Sequence, residues 1–132
     1  MIPCPCGLPA PYDACCGRFH LGAVAPTAEL LMRSRYSAFA LGDMAYLAQT
    51  WHPATRPEKV HDRAHRAWTG LDVLAATKGG LLDQEGTVTF DAHYTDPAQG
   101  RPGTTARQAG VMHEKSAFTR IDGAWVYLGQ AR

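Results

Sequence analysis

The chain has 132 residues, 45% of them hydrophobic, enough to bury one core and too few for two sizeable ones. Its formal charge of +1 sets up no global field that would draw it to nucleic acid or an anionic membrane. No run of eighteen apolar residues occurs, so no membrane span is expected and the cytoplasm is the expected location.

All four cysteines lie in the first sixteen residues: Cys4, Cys6, Cys15 and Cys16, a C-x-C-x8-C-C arrangement. Four thiolates on so short a hook suit a single tetrahedral zinc, an ion that favours sulfur and has no electronic preference of geometry. Gly7, Pro9 and Pro11 allow the backbone to double back so that both pairs face one point. With four protein ligands no position is left for water, so this zinc is structural. Three rival readings stand beside it. A disulfide framework fits an oxidising compartment, which the start of the chain does not signal. A redox pair reads C-x-x-C, which is absent, and four unconnected thiols are the simplest alternative.

Residues 1–22 thus form one unit, and residues 23–132 a second, larger one. Thr27 reads as an N-cap with Glu29 in the first turn, opening a helix on which Met32, Tyr36 and Phe39 recur, with Leu31 and Ala38 beside them. Gly42 stops it and Asp43 caps a second helix, which presents Met44, Leu47, Ala48 and Trp51 and ends before Pro53. A weaker third helix is expected over 58–66. After Trp68 the period becomes two. Leu71, Val73 and Ala75 share a face of one strand, and Gly79-Gly80 breaks it. Val88, Phe90, Ala92 and Tyr94 alternate with Thr87, Thr89, Asp91 and His93 on the next. A polar turn runs from Asp96 to Gly103. Strands near 105–119 and 124–129 then meet at Asp122-Gly123, a hairpin signal. Helices followed by antiparallel strands give an α+β fold with helices on one face of a curved sheet.

CPCG followed by YDACCG and FH is similar to the SEC-C motif, named for the C-terminal tail of the bacterial preprotein-translocase motor. The segments APTAELLMRSRYSAFALGDMAYLAQTWHPATRP and VMHEKSAFTRIDGAWVY resemble the YchJ family of uncharacterised bacterial proteins. That resemblance implies a zinc hook joined to a nuclear-transport-factor-2-like cone, with Cys4, Cys6, Cys15 and Cys16 at the ligand positions. Leu8-Pro9 stands where the motif usually has Ser-Gly, the lysine common before the aromatic Tyr12 is missing, and no second cysteine hook follows.

Two functional classes follow. In the first, zinc fixes the loop so that Leu8, Pro9, Tyr12 and Phe19 form a rigid apolar surface for a protein partner. The likeness to the translocase tail, whose hook docks on a chaperone and on the ribosome, points that partner towards protein export or quality control. In the second, the cone encloses a small-molecule-binding or lyase/hydrolase pocket, with Tyr36, Trp51, His52, Trp68, Phe90 and Glu114 as candidates. Strand parity turns Glu114 inward with Met112, Ser116 and Phe118. There it would either do acid–base work or pair with Arg33 or Arg35, or accept a tyrosine or tryptophan hydrogen bond. His93 is expected to face solvent. No serine elbow, phosphate loop or H-E-x-x-H spacing is present, and no catalytic residue is assigned. Arg56, Lys59, Arg63 and Arg66 are interleaved with Glu58 and Asp62, so RNA or ribosome contact is a minor expectation. The resemblance also allows a homodimer through the outer sheet face.

Overall fold

The computed structural model describes residues 2–60, 66–97 and 107–131. The leading hook doubles back as its glycine and prolines require. Gly7 sits at φ +89, and Pro3 and Pro11 form an antiparallel bridge. Around that bridge the Cys4 amide donates to Ala10 O (3.1 Å) and the Tyr12 amide to Ile2 O (2.8 Å). A 3-10 turn, Tyr12–Ala14, leads into the short helix α1, Cys16–His20.

Helix α2 spans Ala28–Leu41 and α3 spans Met44–Gln49. Both start where the capping chemistry places them. Thr27 Oγ1 accepts from the Leu30 amide (3.1 Å), and Asp43 Oδ1 accepts from the Tyr46 amide (3.1 Å). Gly42, at φ +76, supplies the left-handed residue between them.

Helix α3 stops at Gln49, well before Pro53. The chain leaves the helix because Thr50 and His52 find better partners on a strand edge. The Tyr127 amide donates to Thr50 O and the His52 amide to Tyr127 O, both at 2.8 Å, making Trp51 a bridge residue parallel to Tyr127. The third helix expected over 58–66 is corrected in its described part. Glu58 and Lys59 form a bend, and Val60 and Arg66 are not helical; residues 61–65 lie outside the described residues.

Four strands follow as an antiparallel meander in the order β1-β2-β3-β4: β1 Ala67–Lys78, β2 Glu85–Asp96, β3 Gln108–Ile121 and β4 Ala124–Gln130. Of the expected polar turn after β2, residues 98–103 lie outside the described residues. Strand β2 alternates as read, with Val88, Phe90 and Ala92 buried. In β1 the alternation fails after Val73. A bulge between Val73 and Ala75 sets Ala75 opposite Thr89 and Ala76 opposite Val88, and both alanines are exposed. The β3–β4 turn is the Asp122-Gly123 hairpin, with both residues at positive φ (51 and 83).

Helix α2 is packed on two sides, which shapes everything else. Met32, Tyr36 and Phe39 turn to the sheet, while Arg33, Ser34 and Ser37 meet the hook. Leu31, Ala38, Leu47, Val88, Phe118 and Trp125 fill the core between them. Among the described residues no helix is long and apolar enough to cross a membrane.

Candidate functional site

Among the described residues two groupings of side chains carry chemistry: a sulfur cluster in the hook and a lined cavity in the cone. The sulfurs of Cys4, Cys6, Cys15 and Cys16 all lie within 4.8 Å of one another, and every one of these residues is buried, at no more than 6% exposure. Cys6 and Cys15 Sγ are 3.6 Å apart. A tetrahedral ion with metal–sulfur bonds of about 2.3 Å sets its ligands about 3.8 Å apart, so the spacing suits one ion. The four cysteines can therefore hold a metal.

The surroundings suit a negatively charged thiolate cluster. Arg33 Nη1 donates to Cys6 O (2.9 Å) and Arg18 Nε to Cys15 O (3.1 Å), bringing two guanidinium groups to its rim. Ser37 on α2, fully buried, has its hydroxyl 3.6 Å from Cys4 Sγ, placed to donate to a thiolate. Without a metal the sulfurs share protons unevenly. A hydrogen bond from Cys16 holds the Cys6 thiol down to about 5. Burial pushes Cys15 up to about 11, and the bond to Cys6 together with burial pushes Cys16 up further. A metal must displace these protons to bind.

The hook is bolted to the helices by His20. Its Nε2 lies 2.8 Å from Ser34 O, a carbonyl that can only accept, so Nε2 carries the proton and Nδ1 accepts from the Tyr12 hydroxyl at 2.5 Å. The ring also stands edge-on to Tyr46, with centroids 4.5 Å apart.

These contacts revise the expected docking surface. Phe19 is 4% exposed and belongs to the chain's own core, while Leu8 and Tyr12 are partly buried against that core. Pro9 alone of the four stays exposed. Apolar side chains on a hook this small are consumed in holding it to α2.

The cavity lies between α2 and the concave sheet face, with a volume of about 190 Å³. Tyr36, Trp51, Trp68, Phe90 and Glu114 line it, whereas His52, expected there, does not. Its ring turns outward at the end of α3 and Nδ1 accepts from the Ala54 amide (3.0 Å). Met32, Phe39, Met112 and Tyr127 complete the apolar wall. Glu114 turns inward and accepts through one oxygen, Oε1, from the Tyr127 hydroxyl (2.7 Å) and the Ser116 hydroxyl (2.9 Å). The tyrosine partner thus prevails over an arginine one.

Arg35, missed as a site residue, is the cation of the lining among the described residues. It is 6% exposed, and Nη1 donates to Leu47 O (2.8 Å) and Thr50 Oγ1 (2.7 Å). Its guanidinium lies 4.6 Å from the Tyr127 ring centre and 5.2 Å from that of Trp51. Burial pulls its pKa down to about 10, so it remains charged at neutral pH. No carboxylate among the described residues is in ion-pair contact with it. The signal in the sequence was its place one residue before Tyr36, between Met32 and Phe39 on the sheet-facing stripe.

The histidines of the sheet point away from the cavity. His93 pairs with Asp72 (2.8 Å) and His113 with Asp91 (2.6 Å), both on the exposed face. Arg66, from the basic stretch, is held by both oxygens of Asp96 at 2.9 Å and lies 3.6 Å from the Tyr94 ring centre.

A family model described as "YchJ, middle NTF2-like domain" matches residues 27–130. The chain belongs to the YchJ family. Among its YchJ-family relatives, a UPF0225 protein of Streptomyces avermitilis is 52% identical over 126 residues, 95% of this chain and 81% of that one. Another, from Streptomyces coelicolor, is 50% identical and covers 95% and 91%. The solution structure of a SEC-C motif containing protein from Rhodopseudomonas palustris matches with a TM-score of 0.79 at 31% identity, covering 97% and 96%. A crystal structure of a SEC-C motif containing protein from Psychrobacter arcticus gives 0.71 at 29% identity, covering 98% and 82%. The YchJ-family assignment and the α+β, NTF2-like fold expected from the sequence agree with these matches.

Proposed function

We propose that this protein binds a small molecule in its cone, and that the hook is a structural zinc site bracing the helix that forms the cavity roof. The observation that carries this reading is the cavity itself. A buried arginine and a tryptophan line it among aromatic and aliphatic side chains, with Glu114 and Ser116 as further polar groups, the composition of a binding pocket. The sulfur cluster supports zinc by its soft donor set, its spacing and its closed shell of four ligands. Bound there, zinc supplies rigidity; the ligands leave it no place in a reaction. Ser37, Arg33 and His20 carry that rigidity into α2, whose opposite side presents Met32, Arg35, Tyr36 and Phe39 to the cavity. Binding rather than turnover is favoured, because among the described residues Glu114 is the sole carboxylate of the lining and no histidine joins it.

The test has two parts. Metal analysis of protein purified under reducing conditions should give one zinc per chain, lost in a variant with all four cysteines changed to serine. A thermal-shift screen of the zinc-loaded chain against small metabolites should yield stabilising compounds whose effect disappears when the cavity is filled by Ala92→Phe. A screen with no stabilising compound would remove the reading.

A second reading keeps the hook as a docking element for a protein partner in export or quality control. It draws support from Ile2, Leu21 and Val24, apolar residues near the hook that are 75%, 91% and 65% exposed. Under it, a Leu21→Asp variant with intact zinc should lose a partner that the native chain captures from lysate. Identical captures would count against it.

A further inference from the structure

The unpartnered donors of the lining residues are more informative than the cavity's shape. Trp51 Nε1 is buried and has no acceptor among the described residues. A buried donor left so forfeits its hydration without compensation, which makes it a rarity needing a cause. Arg35 adds to the imbalance. Both of its hydrogen bonds leave from Nη1, and nothing among the described residues accepts from Nε or Nη2. Its charge is buried with no carboxylate among the described residues in ion-pair contact, and Glu114 acts on it only through its field. The two residues line one cavity, with the guanidinium 5.2 Å from the Trp51 ring centre.

We propose that the cavity binds a small monocarboxylic acid, its carboxylate taken by Arg35 and the Trp51 indole N–H and its apolar body by Tyr36, Phe39, Trp68 and Phe90. This names the ligand class for the pocket and rests on the reading of the cone as a binding domain. A carboxylate offers two oxygens to planar guanidinium donors and neutralises the charge they carry, which a neutral acceptor does not.

Glu114 sets the limit on charge. Arg35 lies over the Tyr127 ring and Glu114 accepts from that ring's hydroxyl, so the two opposite charges sit on either side of one tyrosine, within reach of each other's field but not paired. Oε1 of Glu114 is occupied by Tyr127 and Ser116, and Oε2 has no donor among the described residues. A second carboxylate on the ligand would meet that oxygen and be repelled; a hydroxyl or ammonium group would be accepted. Size sets the other limit. A cavity of about 190 Å³ suits one ring or a short branched chain.

Two of the chain's three tryptophans, Trp51 and Trp68, line the cavity, so their emission reports occupancy. The zinc-loaded full chain would be titrated with phenylacetate, with neutral 2-phenylethanol of similar shape, and with the diacid phenylmalonate, with calorimetry in parallel. Phenylacetate should saturate and bind at least about ten-fold more tightly than the alcohol, the worth of one hydrogen bond to a charged group. Phenylmalonate should bind less well than phenylacetate. Trp51→Phe keeps a ring and removes the N–H; it should weaken phenylacetate about ten-fold and leave the alcohol within about two-fold. Arg35→Gln should abolish the preference for the acid, and if that variant does not fold, Trp51→Phe decides alone. Equal binding of acid and alcohol, or an acid affinity unmoved by Trp51→Phe, would overturn the carboxylate and leave a pocket that binds neutral molecules. No saturable response to any of the three, acid or neutral, would overturn both this inference and the pocket reading beneath it.

Discussion

Ser37 joins the two halves of the chain through one hydroxyl, and its effect should be measurable. The hydroxyl lies 3.6 Å from Cys4 Sγ at a fully buried position on α2, placed to donate to a metal-bound thiolate, so Ser37→Ala should weaken zinc binding about ten-fold without unfolding the chain. Competition with a chromophoric chelator reads that change directly. Glu114→Gln makes a contrasting case. Glutamine keeps an acceptor oxygen for Tyr127 and Ser116, so urea unfolding should shift by less than about 1 kcal/mol. At this scale the sequence was legible where chemistry is local. The four cysteines announce their ligand chemistry by type and spacing, and the inward turn of Glu114 follows from strand parity. Arg35 and Ser37 were harder to see, because a buried arginine and a buried serine on a helix look like surface residues until the elements covering them are known.

Elements show the same division. The caps at Thr27, Gly42 and Asp43 are fixed by side chains within a few residues, and each starts or stops its helix as the sequence indicates. The ends decided by distant partners differ: α3 gives way at Thr50 because the edge of β4 offers Tyr127, and β1 bulges at Val73–Ala75 to stay in register with β2. The contact between α2 and the β1–β2 turn is a sensitive joint. Gly79, at φ +80, gives its carbonyl to the Ala28 amide (2.9 Å), and a Cβ on it would stand 2.8 Å from Ala28 Cβ. Gly79→Ala therefore combines a strained backbone with a clash at the start of α2. It should cost about 2 kcal/mol or more, read as a lower urea midpoint at unchanged slope.

For the whole molecule, the metal and the fold are expected to be coupled. Chelation under reducing conditions should lower Tm by about 10 °C or more, because the hook packs on α2 through Arg33, Ser34 and Ser37 and would lose its shape without the ion. Zinc affinity should fall as pH falls. Cys15 and Cys16 hold their protons above neutral pH, so binding releases protons, and acid shifts that exchange back towards the metal-free thiols. Proton release on adding zinc to a weakly buffered sample, with chelator competition at pH 6 and pH 7.5, checks both statements. The sequence by itself determined the sulfur chemistry of the hook, the capped helices and the inward and outward faces of β2 and β3, since these depend on residue type, short spacing and period. Only the tertiary structure decided that the hook's apolar residues pack inward, that His52 stands outside the cavity, and that Arg35 and Trp51 share one wall. Those outcomes turn on which surfaces meet across the fold, and no local pattern along the chain encodes a meeting between residues that are neighbours only in space.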